Sequence, residues 1–210
     1  DFVLAGANAP SGGFELVLFP VRAGEPKWLP TPGITPRGRG AFFPDGKRIF
    51  FMGTENGHGP RAFVLDSERG GPPRPVSPEG TRRGILSADG RSVCARAADG
   101  DWYLYPTDKG EPQRVVGLGF GEEPTQWAAD GRHLYVRGSD ELQPGESVLA
   151  ARVYRLDPWS GARELWRAIP PITSTTGGGV ENVFFSADGR TCIYTHSRYS
   201  SDLFLAEGWK

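Results

Sequence analysis

The feature that most constrains the fold is an apolar stretch interrupted by Asp-Gly, which occurs four times in the chain. The copies occupy residues 41–51, 85–94, 126–135 and 184–193. An Asp-Gly pair between two apolar runs predicts a two-residue hairpin turn with positive φ at both turn residues. The turn aspartates lie 44, 41 and 58 residues apart, so the sequence predicts a repeat architecture.

The glycine of each turn matters most to this prediction, because glycine adopts positive φ without a steric penalty. We therefore expect Gly46→Val to destabilise the protein. Gly100 lies in what the sequence suggests is a looser connection, and we expect Gly100→Val to cost less.

Each hairpin is followed by two further short apolar segments, which makes a unit of four antiparallel strands. The second and third strands carry apolar residues on both faces, as in the consecutive run Ile49, Phe50 and Phe51. Such strands must be covered on both sides, and sheets stacked face to face in a ring achieve this. Four strands in about 40–45 residues is the period of a propeller blade. We therefore predict an all-β fold, a β-propeller of about five four-stranded blades that closes imperfectly or belongs to a larger ring.

A single domain spanning residues 1–210 is predicted, with repeats at about 1–37, 38–79, 80–117, 118–170 and 171–210. The first repeat begins at its second strand and the last ends after its third, near residue 205, which predicts 18 strands. An insertion at 138–151 separates two strands of the fourth repeat. Because the chain begins with Asp1 and its one methionine is Met52, we expect a processed product or part of a longer protein.

Composition excludes several classes of protein. The net charge of −1 argues against a general nucleic-acid binder, which normally carries a basic surplus. No apolar run reaches the roughly 18 residues of a membrane span, so this segment is not expected to contact a membrane. The two cysteines, Cys94 and Cys192, are expected to be buried free thiols rather than a disulfide, which leaves the redox compartment open.

The repeated hairpin resembles a known signature. Residues 43–47 read Phe-Pro-Asp-Gly-Lys, residues 87–91 and 186–190 read Ser-Ala-Asp-Gly-Arg, and residues 128–132 read Ala-Ala-Asp-Gly-Arg. This pattern is similar to the Ser-Pro-Asp-Gly repeat of TolB-type, WD-like β-propellers. Such propellers occur in TolB-like periplasmic proteins, in prolyl-oligopeptidase-type peptidases and in the C-terminal sensor regions of bacterial membrane-anchored Ser/Thr kinases. The ending, residues 201–210, resembles the last group, which implies an extracytoplasmic location, periplasmic or at the cell surface.

The sequence lacks the common catalytic and phosphate-binding motifs. The sequence has no Gly-x-Ser-x-Gly nucleophile elbow, no phosphate-binding glycine loop and no kinase signature. Its three histidines have no metal-ligand spacing. Acidic residues of the insertion, Asp140, Glu141 and Glu146, could hold Ca²⁺, although such loops are usually only solvated. We therefore expect a protein that is not an enzyme and has no cofactor or metal.

The loops that enter the first strand of each blade line one mouth of a propeller channel. Six residues before the turn aspartates lie Arg39, Arg83, Pro124 and Asn182, and seven before lie Gly38, Arg82, Glu123 and Glu181. This mouth would be basic on one half and acidic on the other, which suits a zwitterionic or peptidic ligand. The alternative is that these are ordinary charged loops. The predicted ligand-binding residues are Arg39, Arg82, Arg83, Glu123, Glu181, Asn182, His58, His196 and Arg198.

The sequence thus predicts a non-catalytic binding, sensor or protein-interaction propeller. It could be the extracytoplasmic part of a membrane-anchored signalling protein. The expected partner is a small peptide-like ligand or another protein. The alternative function is an accessory propeller that gates the catalytic domain of a prolyl-oligopeptidase-type hydrolase.

Overall fold

The computed structural model describes residues 1–10, 12–138, 151–170, 178–186 and 188–198, with the backbone alone at residues 39, 178, 179, 181, 197 and 198. The described chain contains 17 strands and no helix. In chain order they are β1 (Phe2–Asn8), β2 (Phe14–Pro20), β3 (Lys27–Leu29), β4 (Ile34–Phe42), β5 (Arg48–Glu55), β6 (Pro60–Asp66), β7 (Arg74–Pro75), β8 (Arg82–Leu86), β9 (Ser92–Arg96), β10 (Trp102–Pro106), β11 (Gln113–Arg114), β12 (Glu123–Trp127), β13 (Leu134–Arg137), β14 (Ala151–Leu156), β15 (Arg163–Ile169), β16 (Gly178–Phe185) and β17 (Cys192–Arg198).

The strands form five antiparallel sheets, here called blades one to five in chain order. Blade one is the three-stranded sheet β1–β3, blades two to four are the four-stranded sheets β4–β7, β8–β11 and β12–β15, and blade five is the pair β16–β17. First strands of neighbouring blades contact one another, β4 with β8, β8 with β12 and β12 with β16. These are therefore the inner strands. The predicted all-β propeller is confirmed.

The core lies between the blades rather than within one. Ile49 and Phe51 of β5 pack on blade one, whereas Phe50 and Met52 of the same strand pack on blade three. This alternation follows from the two-residue period of a strand. Equivalent apolar clusters fill the spaces between blades three and four and between blades four and five. Both faces of the central strands are thus buried, as the consecutive apolar runs predicted.

The Asp-Gly hairpins differ from the sequence prediction. In the first, the Phe43 N–H donates to the Arg48 carbonyl (2.8 Å) and the Gly46 N–H donates to the Phe43 carbonyl (2.9 Å). Four residues, 44–47, therefore lie between the two residues joined by the closing hydrogen bond. The other three hairpins repeat this pattern. Gly46 has a φ of 67°, whereas Asp45 does not have positive φ. The predicted two-residue turn with positive φ at both residues is wrong.

Residues beside the glycine explain this longer turn. Pro44 has a φ restricted to about −65°, which suits the second position of a type I turn. The Asp45 carboxylate accepts the backbone N–H groups of Lys47 (2.8 Å) and Arg48 (3.0 Å). The aspartate is therefore selected for its side-chain hydrogen bonds, and positive φ is left to the glycine alone.

The boundary predicted at residue 38 falls inside β4, so blade two begins at Ile34. Both cysteines are free, but Cys192 is half-buried rather than buried. The strand predicted near residue 205 and most of the predicted insertion lie outside the described residues. None of the described segments is a helix with the length and hydropathy that crossing a bilayer requires.

Candidate functional site

A β-bulge interrupts the inner strand of each of blades two to five. The register shifts between Arg37 and Gly40 in β4, between Arg82 and Ile85 in β8, between Pro124 and Gln126 in β12, and between Glu181 and Phe184 in β16. Each bulge precedes the Asp-Gly turn by several residues and so lies towards the opposite end of its strand. Because the inner strands adjoin one another, the bulges surround one mouth of the propeller, here called the bulge mouth.

The backbone at these bulges is strained. Arg83 has a φ of 57° and Asn182 a φ of 45°, and no other non-glycine residue of the described chain has positive φ. Gly38, at the bulge of β4, has a φ of 67°. Asparagine tolerates this region, but for arginine it costs about 1–2 kcal/mol. Strained bulges of this kind are often found beside binding and active sites.

Arg83 also forms an ion pair with Glu123, which joins the bulge of blade three to the first residue of β12 in blade four. The side chain of Arg83 is 58% exposed and that of Glu123 is 29% exposed. The sequence predicted these two residues on opposite halves of the mouth. They instead neutralise each other where the basic and acidic halves meet.

Unneutralised positive charge remains at Arg82. It lies directly opposite Arg96 on β9, and both residues are exposed. The Arg96 Nε donates to the Gly100 carbonyl (2.9 Å). Within the described part of the chain, the side chains of Arg82 and of the exposed Arg37 of β4 have no hydrogen-bond or ion-pair partner. The mouth therefore carries a cluster of arginines around blades two and three.

Sequence reasoning missed Arg96 and Arg137, although a signal was available. Arg82 lies seven residues before Asp89 and Arg96 seven after it. The same spacing around Asp130 places Glu123 opposite Arg137. Around Asp188 it places residue 181 opposite residue 195. Counting seven residues forward from a turn aspartate, as well as seven backward, would have identified the paired residues on both strands at the mouth.

His58 occupies the turn between β5 and β6. Its Nδ1 lies 3.3 Å from Glu79 Oε2, and the Gly59 backbone N–H donates to the same carboxylate. Arg61 Nη2 lies 3.5 Å from Glu79 Oε2. The pKa of Glu79 is lowered, first by the Gly59 N–H and then by the His58 side chain. His58 therefore has a structural partner that ties this turn to the segment before β8.

The remaining predicted site residues belong to inner or second strands. Asn182 Nδ2 donates to Thr195 Oγ1 (3.2 Å), and His196 is half-buried opposite Val180. Arg39, Glu181 and Arg198 lie on β4, β16 and β17, and their side chains fall outside the described residues.

The acidic residues of the insertion that were considered for Ca²⁺, Asp140, Glu141 and Glu146, also lie outside the described residues. In the described ranges no group of three or more His, Cys, Asp or Glu side chains is placed to hold a metal ion.

A cleft of about 250 Å³ lies away from the bulge mouth, between the outer strands of blades two and three. It is lined by Arg61, Arg74, Tyr105, Asp108 and several prolines. None of the predicted site residues lines it.

Comparisons with known proteins agree on the fold. TolB from Acinetobacter baumannii superposes with a TM-score of 0.64 at 16% identity, over 93% of this chain and 51% of that protein. Oligogalacturonate lyase from Vibrio parahaemolyticus gives 0.54 at 14% identity, over 93% and 66%. The β-propeller domain of the trilobed protease from Pyrococcus furiosus gives 0.52 at 14% identity, over 80% and 53%.

These structures include TolB as well as proteins named as a lyase and a protease, so the likeness identifies the fold and not the activity. The fold is that of a TolB-type β-propeller. The chain spans about half to two thirds of the length of these structures. No protein-family model and no curated protein sequence matches the chain.

Proposed function

We propose that this protein is a non-catalytic binding module that takes a carboxylate-bearing, peptide-like ligand at the bulge mouth. The observation that carries the proposal is the strained Arg83, which stands between the like-charged pair Arg82 and Arg96 and the carboxylate of Glu123. Backbone strain and like-charge repulsion both destabilise the fold. Their coincidence at one mouth supports a role in binding there.

The charges of this mouth define the ligand class. The exposed guanidinium groups of Arg82 and Arg96 suit one carboxylate, to which arginine can donate paired hydrogen bonds. Glu123 lies one blade further on and is shared with Arg83. It could accept a hydrogen bond from a ligand amino group. A peptide terminus or an amino acid carries both groups within this reach.

We further propose where in the cell this binding module lies. The repeat signature resembles that of periplasmic TolB-like propellers, and the ending resembles kinase sensor regions. We propose an extracytoplasmic sensor or protein-interaction domain, in which binding at the mouth is relayed to a partner or to another part of the protein.

A peptide screen tests this function. Thermal shift with a library of di- and tripeptides should identify a ligand that raises the Tm of the wild type. Arg82→Glu should then weaken binding by tenfold or more, since a charged hydrogen bond contributes about 1.5–3 kcal/mol. Arg190→Glu is the matched control, because Arg190 is exposed beside the Asp-Gly turn at the other end of blade five. Equal loss of affinity in both variants would contradict a site at the bulge mouth.

The alternative function is a propeller that gates a peptidase. The likeness to the propeller domain of the trilobed protease supports this alternative. A gate admits peptides through its channel with little preference for their charge. Peptide affinity that is unchanged by Arg82→Glu and by blocking the peptide carboxylate would favour the gate over the sensor.

A further inference from the structure

The loop that leads into blade four holds an aromatic side chain in solvent. Phe120 lies in the connection 115–122 between β11 and β12, and it is 99% exposed. The next most exposed large apolar side chain of the described chain, Ile193, is 69% exposed. Single, partly exposed apolar residues are common and need no explanation. A phenyl ring that is almost fully exposed is different, because aromatic side chains gain much from burial.

A flexible loop could fold such a ring back onto the protein, but this loop is held on both sides of Phe120. The Glu122 carboxylate accepts hydrogen bonds from the Gly119 backbone N–H (2.7 Å) and the Arg163 guanidinium (2.7 Å). The Glu122 side chain is only 7% exposed. On the other side of the ring, Leu118 packs against the apolar cluster between blades three and four. The loop is therefore preorganised with the ring outside.

Gly117 allows the start of this loop to lie directly on blade four. It has a φ of 85°, and a Cβ at this position would lie 2.7 Å from the Gly161 Cα. The Gly117 carbonyl also accepts a hydrogen bond from Arg163 Nη1 (3.3 Å). Phe120 thus extends from a backbone that is closely packed on its neighbour.

Phe120 belongs to the rim of the bulge mouth. Glu123, the first residue of β12, follows it by three positions, so the two Cα atoms are at most about 11 Å apart. Glu123 forms the ion pair with Arg83, and Arg82 is the residue before Arg83. An exposed aromatic ring therefore lies within reach of the charges that are proposed to bind a ligand.

The equivalent loops between earlier blades carry no such side chain. The connections 30–33 and 76–81 lead into blades two and three, and neither contains an exposed large apolar residue. The repeat itself therefore does not require an aromatic residue here. Blades three and four each have a neighbour on both sides, so an open end of the row of blades does not explain the exposure of Phe120.

We propose that Phe120 selects the side chain of the ligand's amino-terminal residue, so that the ligand is a short peptide whose first residue is apolar, and best aromatic. This inference rests on the proposed function. The peptide carboxylate binds Arg82 and Arg96, and its amino group lies at Glu123. Its first side chain then packs against the ring of Phe120, where an aromatic partner can stack. An extended tripeptide spans about 10 Å, which is long enough to reach from one group to the next.

Three tripeptides with free termini separate the aromatic contact from the charges. Phe-Gly-Gly, Gly-Gly-Gly and Gly-Gly-Phe carry the same charges and differ only in the presence and position of the phenyl ring. Calorimetry with the wild type should show that Phe-Gly-Gly binds about tenfold or more tightly than Gly-Gly-Gly, because an aromatic side chain is buried. Gly-Gly-Phe should bind much as Gly-Gly-Gly does, since its ring lies at the other end.

Variants of Phe120 test which residue makes this contact. Phe120→Ser should abolish the preference for Phe-Gly-Gly and leave the affinity for Gly-Gly-Gly unchanged, whereas Phe120→Tyr should retain the preference. Because the side chain is exposed, neither substitution should change the urea midpoint. Ile193→Ser is the matched control and should retain the preference. Ile193 is also exposed, but it lies beside the Asp-Gly turn of blade five, at the end remote from the bulge mouth.

Failure of this inference can be told apart from failure of the proposed function. If Phe-Gly-Gly and Gly-Gly-Gly bind equally and Arg82→Glu weakens both, the mouth binds peptides and the role of Phe120 is overturned. If the preference is lost in Phe120→Ser while Arg82→Glu changes no affinity, the aromatic contact is upheld and the carboxylate site is overturned. If none of the three tripeptides binds, both are overturned.

Discussion

Arg82 and Arg96 lie directly opposite each other on β8 and β9, at the end of blade three that is remote from its Asp-Gly turn. Opposed like charges destabilise a sheet. The Arg96 side chain donates a hydrogen bond to the Gly100 carbonyl. The Arg82 side chain has no hydrogen-bond or ion-pair partner in the described ranges. A site that binds an anion would keep such a pair, since stability and function often conflict at binding sites.

Arg82→Glu should therefore stabilise the folded protein while it weakens ligand binding. Replacing the repulsive pair by an attractive one is expected to raise the free energy of unfolding by about 0.2–1 kcal/mol at low salt. The gain should shrink at high salt, where surface charges are screened. Urea unfolding of wild type, Arg82→Glu and the control Arg190→Glu at two salt concentrations measures this. A destabilised Arg82→Glu would show that Arg82 has a structural partner.

The strain at Arg83 is tested by comparing two substitutions. Arg83→Gly and Arg83→Ala both remove the ion pair with Glu123, so their difference isolates the backbone. The glycine variant should be more stable than the alanine variant by about 1 kcal/mol, because the φ of 57° costs alanine and not glycine. Urea unfolding measures the difference. Equal stabilities would mean that the bulge relaxes when the arginine is removed.

The fold was predictable because its signal is repeated and local. Asp45, Asp89, Asp130 and Asp188 each mark a hairpin, and the consecutive apolar residues around Ile49 require cover on both faces. The bulges were not predictable, because a bulge adds a residue to one strand without changing the apolar pattern of the other. Counting from the turn along one strand found Arg82, but the partner strand had to be considered to find Arg96.

The ion pair between two blades could not be predicted from the sequence either. Arg83 and Glu123 are 40 residues apart and belong to different repeats. Their contact depends on how two inner strands adjoin, which no local pattern records. The turn prediction failed for a different and local reason: Pro44 favours a type I turn, and the Asp45 carboxylate accepts the backbone N–H groups that complete the loop.

Gly46→Val and Gly100→Val should destabilise the protein by similar amounts. The sequence suggested that Gly100 lies in a looser connection, but its φ is 92° and that of Gly46 is 67°. Both glycines close a turn by donating to a carbonyl three residues earlier. Each substitution should cost about 1–2 kcal/mol or more, as measured by urea unfolding. Ala129→Val, at an exposed loop position without positive φ, is the control and should be nearly neutral.

Asp45 should contribute stability that depends on pH. Its pKa is lowered from 3.8 to about 2, first by the Lys47 backbone N–H and then by the Arg48 side chain. Because the folded pKa lies below the unfolded value, the contribution is complete above the unfolded pKa and is lost as pH falls through the folded pKa. Wild type should exceed Asp45→Asn in urea midpoint at neutral pH, and the gap should close between the unfolded pKa of 3.8 and about 2. A gap that stays constant over this range would show that the carboxylate charge is not involved.

The ion pair between Arg83 and Glu123 allows structure and binding to be separated. Arg83→Glu places two carboxylates together, and Glu123→Arg places two guanidinium groups together, so each single variant should be less stable than the wild type. The double exchange restores an ion pair of opposite polarity. Because the pair is partly exposed, the coupling free energy from the double-mutant cycle should be about 0.2–1 kcal/mol and should fall with salt. Stability should thus be recovered in the double variant, while affinity for a peptide ligand should not, since the charges that face the ligand are now exchanged. Recovery of both would make the pair a link between blades with no part in binding, and recovery of neither would show that the strained bulge accepts only the native arrangement of charges.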